Sequence, residues 1–253
     1  MSPVLFIIYM DELNTLLNDT KIGCHIAATC INHIAYADDM VLLAPTVSAL
    51  RRLLDLCGTY AATHGLTYNV KKTKVMYFRK GKRPVTTLPI QLNGQDLEYV
   101  DSFKYLGHIV TSNLTDGMDL DRHRRALSVR SNMLARRFAR CSDYVKMLLF
   151  KTYCTTIYTC ELWCKYTKAE YSALRVEYNN ALRIMLRLPK FCSASEMFTE
   201  TRLPGFAALK RQRVANTRER FYNSQDKIVP ALLQINGPLI EHRMKLHSDI
   251  IIF

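Results

Sequence analysis

The chain has 253 residues, with 35 Lys and Arg against 22 Asp and Glu, a formal net charge of +13. Hydrophobic residues make up 49% and charged residues 23%, an ordinary globular composition that excludes a disordered tail or a low-complexity chain. No stretch reaches the roughly 18 apolar residues of a membrane span, and Met1-Ser2-Pro3 lacks the basic opening of a signal peptide. Eight cysteines at irregular spacing read as reduced intracellular thiols, so a nuclear or cytoplasmic protein with no membrane partner is expected. The positive excess points to a polyanionic partner. It is unevenly placed. Residues 1–117 hold 11 basic and 10 acidic side chains, whereas residues 118–253 hold 24 and 12. Two regions with different jobs follow, meeting near the polar stretch 111–117.

In chain order, Pro3 and the apolar positions Leu5, Phe6, Tyr9, Leu13, Leu16 and Leu17 predict an amphipathic helix to about Asn18. A strand is expected over 21–27. Residues 32–43 read as two apolar strands around an acidic tip, a hairpin ended by Pro45. Thr46 or Ser48 caps a helix carrying Leu50, Leu53, Leu54, Cys57 and Ala61, and Gly65 stops it. A strand at 75–78, a basic loop at 81–89, a hairpin around Asn93-Gly94 and further sheet over 103–110 complete an α+β first half. The second half reads as helical. Helices are expected over 118–141, 144–158, 168–188 and from Pro204-Gly205 to about Asn223. The first of these places Leu120, Leu127, Leu134, Phe138 and Cys141 on one side.

The informative motif is Tyr36-Ala37-Asp38-Asp39 at the hairpin tip. Adjacent carboxylates repel, and a sheet desolvates them only with compensation. A divalent cation supplies that, since Mg²⁺ takes hard oxygen ligands and leaves positions for water and phosphate. Two such ions clamp the attacking and leaving oxygens of phosphoryl transfer. The plain alternative is a solvated acidic turn.

Tyr36-Ala37-Asp38-Asp39 resembles the catalytic box of reverse transcriptases, and its surroundings resemble the non-LTR (LINE-type) retrotransposon enzymes. Ser2-Pro3-Val4-Leu5-Phe6 with Asp11-Glu12-Leu13 resembles the tail of the template- and nucleotide-binding motif. Gly65-Leu66-Thr67-Tyr68-Asn69-Val70-Lys71-Lys72-Thr73 resembles the motif that follows the box. Phe103-Lys104-Tyr105-Leu106-Gly107 resembles the primer grip. The four occur in the family's order over residues 2–107. The resemblance implies a partial right-hand polymerase palm, an antiparallel sheet with helices, over 1–112. A helical thumb would follow over 113–190 and a helical connector over 191–253. Asp38 would be a direct Mg²⁺ ligand and Asp39 its less direct neighbour. Tyr36 would pack near the primer terminus, and Lys72 would sit near the triphosphate. Ser2 and Pro3 would lie by the template, while Phe103, Tyr105 and Gly107 would hold the primer strand. The partners implied for the intact parent are an RNA template, a DNA primer and deoxynucleoside triphosphates.

The family also uses an upstream aspartate and fingers, and the sequence starts inside the template-binding motif. The expectation is a truncated chain without its endonuclease, unable to polymerise alone. Asp11, on a helix, and Asp101, late in the palm, are poor substitutes for the absent acid. Arg122, Arg124, Arg125, Arg130, Arg136, Arg137 and Arg140 fall on one predicted helix with no acid between Arg122 and Arg140. A merely solvated face usually mixes signs. Arg122, Arg125, Arg136, Arg137 and Arg140 are therefore candidates for contact with nucleic-acid phosphates. Cys160 and Cys164 lack the further ligands of a zinc site and read as buried thiols. The rival reading is a non-catalytic nucleic-acid-binding remnant. A group II intron maturase or telomerase relative fits the Gly-Leu-x-x-Asn-x-x-Lys-Thr pattern less well.

Overall fold

Apolar residues three and four positions apart line one face of the early helices, and burying that face organises the first part of the chain. The computed structural model describes residues 3–26, 28–78, 88–226 and 228–233. Ser2, residues 81–87 of the expected basic loop and the C-terminal apolar run lie outside the described residues. The chain divides into two units, Met1–Asp101 with Ser224–Pro238, and Ser102–Asn223 with Leu239–Phe253. The described residues are mixed helix and small sheets, compatible with the α+β class. Among the described residues no helix is long and apolar enough to cross a membrane.

The first unit opens with α1 (Pro3–Tyr9) and α2 (Asp11–Asp19), where the sequence predicts one continuous helix. The break has a cause on each side. The Tyr60 hydroxyl donates to the Tyr9 carbonyl at 3.0 Å, and Asp11 and Glu12 favour a fresh helix N-terminus. Next come the hairpin of β1 (Cys24–Ile26) and β2 (Thr29–Ile31) and the hairpin of β3 (His33–Tyr36) and β4 (Asp39–Leu42). The strand expected over 21–27 is thus one arm of a hairpin. Helix α3 (Val47–Thr63) is capped by Thr46, whose hydroxyl accepts the Ala49 N–H. Strand β5 (Lys74–Val75) is shorter than expected. Strands β6 (Gln91–Leu92) and β7 (Gln95–Asp96) close around Asn93-Gly94, and β8 (Glu98–Tyr99) pairs parallel with β5.

Leu13, Leu17, Leu53, Cys57 and Tyr60 form one buried cluster of this unit. Leu54, Val75, Ile90, Leu92 and Leu97 form another. One antiparallel sheet was the expectation. The described strands instead form five separate two-stranded ladders, one of them parallel. Strands of two to four residues make few ladder bonds, so their cohesion comes from the side chains they bury against neighbouring elements.

Two residues tie the β3–β4 hairpin to α2. Asn32 is buried, and its amide donates to the Leu17 carbonyl at 2.5 Å while its carbonyl oxygen meets His33 Nδ1 at 2.8 Å. Gly23 lies so close that an added Cβ would stand 2.7 Å from Asn32 Cβ and 2.8 Å from the Ile31 carbonyl oxygen.

The second unit begins with the hairpin of β9 (Ser102–Tyr105) and β10 (His108–Thr111). Helices α4 (Gly117–Arg137), α5 (Asp143–Tyr153), α6 (Lys168–Leu186), α7 (Ala194–Thr201) and α8 (Phe206–Tyr222) follow. Helix α4 ends three residues short of Arg140, which corrects its placement on that helix. Helix α5 stops five residues before its expected end, and α7 was not anticipated. Leu120, Leu127 and Leu134, seven apart on α4, share a core with Leu174, Tyr178, Leu182 and Met185 of α6. A capping box starts α6: the Thr167 hydroxyl accepts the Glu170 N–H, and the Glu170 carboxylate accepts the Thr167 N–H.

Replacing Gly23 by Ala forces β2 away from the turn before β1. Urea unfolding of Gly23→Ala is expected to show a loss of about 1–3 kcal/mol, the usual effect of overpacking.

Candidate active site and nucleic-acid interface

The β3–β4 register pairs Tyr36 with Asp39, leaving Ala37-Asp38 as a two-residue turn. Ala37 has φ of 52°. That left-handed conformation costs an L-residue roughly 1–2 kcal/mol. Met40 and Leu42 pack towards the first core, so the apolar arm is anchored and the tip projects. Tyr36 is 65% exposed, and both Asp38 and Asp39 are exposed. The carboxylates stay hydrated, and the turn presents them at its end.

Lys72 lies in a turn organised by Asn69. The Asn69 side-chain oxygen and carbonyl both accept the Lys72 N–H at 3.1 Å, and the carbonyl also accepts the Thr73 N–H at 2.9 Å. The asparagine of the Gly-Leu-x-x-Asn-x-x-Lys-Thr pattern therefore builds the turn that carries the lysine. Lys72 itself is exposed and forms no ion pair with Asp38 or Asp39. Pro3 begins α1.

Among the described residues no three His, Cys, Asp or Glu side chains gather into a metal-holding group. Asp38 and Asp39 therefore stand as a pair of carboxylates with no third such ligand gathered beside them among the described residues. Cys160 is a buried thiol pushed up to about 12 by burial, and Cys164 is exposed, which corrects the reading of both as buried.

The other candidate residues lie in the second unit. Leu106 and Gly107 turn the β9–β10 hairpin with φ of 43° and 83°. A Cβ on Gly107 would stand 3.3 Å from the Tyr158 ring, so glycine suits both the conformation and the close approach. Phe103 and Lys104 are exposed, and Tyr105 is half-buried.

Just beyond this hairpin lies a feature that the sequence reading missed. Asp119 of α4 is fully buried. Its Oδ1 accepts the Ile109 N–H at 3.1 Å and the Arg122 Nε and Nη2 at 2.9 and 2.7 Å. Its Oδ2 accepts the Trp163 indole N–H at 2.8 Å and lies 3.2 Å from His108 Nδ1. Burial pushes this carboxyl up, but the donors from His108, Trp163, Arg122 and Ile109 outweigh it and hold it far below the usual range. Arg122 also donates to His123 Nε2 at 2.7 Å. Burial, followed by the Arg122 charge, lowers His123 to about 4. Asp116 accepts the Cys164 and Lys165 N–H groups, each at 2.7 Å. The available signal was an acid three residues before an arginine in a chain with a single tryptophan.

This network sorts the arginines. Arg122 is turned inward. Arg124 and Arg125 both pair with Asp121, although the Arg125 side chain remains 75% exposed. Arg130 reaches the Tyr153 carbonyl at 2.8 Å. Arg136, Arg137 and Arg140 are exposed and make no ion pair among the described residues. A shallow groove along α4 is lined by Ser128, Val129, Asn132, Met133, Arg136 and Arg137.

Residues 1–110 match the reverse transcriptase (RNA-dependent DNA polymerase) family. The chain is 33% identical over 114 residues to the Retrovirus-related Pol polyprotein from type-1 retrotransposable element R2 of Popillia japonica, covering 42% of this chain and 19% of that one. It is 32% identical over 114 residues to the corresponding polyprotein from type-2 retrotransposable element R2DM of Drosophila melanogaster, covering 42% and 11%. The type-1 R2 polyprotein of Bradysia coprophila is 31% identical over 119 residues, covering 44% and 14%. The chain thus matches less than a fifth of the length of each of these relatives. No solved structure matches it. The segment 1–110, with its hairpin-borne carboxylate pair, belongs to the reverse transcriptases. Its R2 relatives are Pol polyproteins of retrotransposable elements, so the segment is reverse-transcriptase sequence of the non-LTR type.

The depressed His123 has a pH consequence. Its ordinary value is 6.5 and its folded value about 4. Between these, the unfolded chain binds a proton that the folded state refuses, so stability falls as pH drops from 6.5 towards 4. Melting curves over this window should show a loss of about 1 kcal/mol per pH unit from this group. His123→Gln, which keeps a donor and an acceptor, should flatten that loss.

Proposed function

We propose that residues 1–112 are palm sequence of an RNA-directed DNA polymerase and that α4 belongs to a thumb that grips the template–primer duplex. In the parent reaction a primer 3′-hydroxyl attacks the α-phosphate of a deoxynucleoside triphosphate, and pyrophosphate leaves. The observation that carries the reading is the Tyr36-Ala37-Asp38-Asp39 hairpin tip. It holds two hydrated carboxylates on a strained turn, within a segment of reverse-transcriptase sequence. Asp38 would ligate Mg²⁺ directly and Asp39 less directly. Tyr36 would sit near the primer terminus and Lys72 near the triphosphate. Phe103, Tyr105 and Gly107 would hold the primer strand.

Helix α4 has 21 residues and is about 30 Å long, close to one turn of duplex. Arg125, Arg136, Arg137 and the following Arg140 would neutralise phosphates along it. Val129 and Met133, 69% and 50% exposed, would lie against sugars and base edges. Arg122, held by Asp119, is assigned no phosphate.

Two carboxylates are too few for the reaction, so the chain by itself is not expected to polymerise. The second reading, a non-catalytic nucleic-acid-binding remnant, draws on this same shortage of acids beside exposed arginines.

Two measurements test these statements. Primer extension by the 253-residue chain on an RNA template with Mg²⁺ should give no product. Robust synthesis that Asp38→Ala abolishes would overturn the expectation of inactivity. Binding to an RNA–DNA hybrid should weaken steeply with salt. Replacing Arg136 and Arg137 by Ala should lower the slope of log affinity against log salt by about one per arginine. An unchanged slope would remove α4 from the interface.

A further inference from the structure

We propose that Asp119 is a positioning residue that locks the β9–β10 turn onto α4, so that the turn and the arginine face grip a primer end as one rigid element. The inference rests on the reading of α4 and this hairpin as parts of a template–primer grip. A two-stranded hairpin of four residues per strand is marginal by itself in water. Here its turn end is fixed by consecutive contacts at residues 107–109. At the tip, the Tyr158 ring lies against Gly107. Directly after the turn, at the start of β10, Asp119 accepts the Ile109 N–H, and His108 Nδ1 lies 3.2 Å from Asp119 Oδ2 and 3.0 Å from the Thr159 hydroxyl.

Thr159 is the second observation. It is buried and β-branched, yet it has φ of 65°. For such a residue the conformation is strained and persists only where its surroundings over-determine it. The strain puts the Thr159 hydroxyl on His108 and precedes the turn Cys160–Leu162 that leads Trp163 to Asp119. Three segments thus converge on one carboxylate, β10, α4 and Trp163, and the 158–159 turn reaches it through His108. A buried charge of this kind adds little net stability over apolar packing of equal volume. Its specific consequence is orientation. The side chains left outside the lock, Phe103 and Lys104 on β9 and Arg125 on α4, are exposed.

The test uses the full chain and two fluorescent RNA–DNA hybrids of equal length, one blunt and one with a recessed DNA 3′ end. Asp119→Asn and His108→Leu each remove a charge-assisted contact. Each is expected to weaken binding to the recessed hybrid by about tenfold, the equilibrium effect of one such contact. Binding to the blunt hybrid should stay unchanged, because the α4 arginines remain. His108→Asn keeps an N–H donor at the Nδ1 position and should restore the recessed-end affinity. Melting curves confirm that each variant is folded at the assay temperature. If Asp119→Asn does not fold, the His108 pair decides. Should His108→Leu lower the melting midpoint yet keep the wild-type ratio of the two affinities, Asp119 and His108 are structural only and the proposal is overturned. If the wild-type chain binds neither hybrid, it is the grip reading itself that fails.

Discussion

A carboxylate moved out of water into a protein interior loses several kcal/mol of hydration, and only converging donors make it tolerable. Asp119 meets that condition with N–H groups from a strand, a guanidinium, an indole and an imidazole. The arrangement of the second unit near its first helix follows from that one requirement. Arg122 turns inward because its charge is needed there. His123, next to that guanidinium and buried, stays neutral at physiological pH. Trp163 is drawn fully inside with its N–H satisfied, and its ring faces His123 edge-on at 5.5 Å. Lys210 comes in from α8 over the neighbouring rings, 4.6 Å from the Tyr166 centroid, and burial pulls it down to about 8. The β9–β10 hairpin belongs with the helices because its backbone feeds the same carboxylate.

The first unit treats its acids in the opposite way. Asp38 and Asp39 have no converging donors among the described residues and remain exposed at the end of a turn. The structural effort there goes into holding the turn. Asn32 and Gly23 fasten the hairpin to α2, Met40 and Leu42 anchor one arm, and Ala37 accepts a left-handed backbone. A strained two-residue turn that could be relieved by glycine, yet carries alanine between a tyrosine and two acids, fits a site that must present side chains in a fixed direction. Asp119 is dried and paired, whereas Asp38 and Asp39 are left exposed to water.

Much of this was legible in the sequence because it rests on local rules. Thr46 as a cap, Asn93-Gly94 as a turn, the stripe Leu120, Leu127 and Leu134, and the hairpin around the paired acids each depend on neighbours within a few residues. The family assignment of the first segment was legible for the same reason, since its motifs are short and ordered. What escaped was non-local. The break at Met10 depends on Tyr60, fifty residues away. The sheet dissolves into ladders because strand lengths are decided by packing partners. Asp119 looked like an ordinary helix residue because none of its strand, indole and imidazole donors adjoins it in sequence. The arginine run misled in part, since Asp119 and Asp121 stand just before it and pair with its first three members, Arg124 and Arg125 sharing Asp121.

That pairing bears on how a net charge of +13 acts. Charges already paired with an acid at 2.6 to 2.7 Å contribute less field at a distance. The effective positive surface of α4 is therefore concentrated towards its C-terminal end, where Arg136 and Arg137, followed by Arg140, have no acidic partner among the described residues. A basic helix end also satisfies the helix dipole, which alone would explain one or two cations. It would not explain Val129 and Met133 exposed in the same groove, since apolar side chains gain nothing from a solvated dipole. Arg136 and Arg137 share one open face of α4 with Val129 and Met133. The charge asymmetry between the halves thus resolves into a short exposed segment, and the salt dependence of binding should report those few residues and not the whole excess.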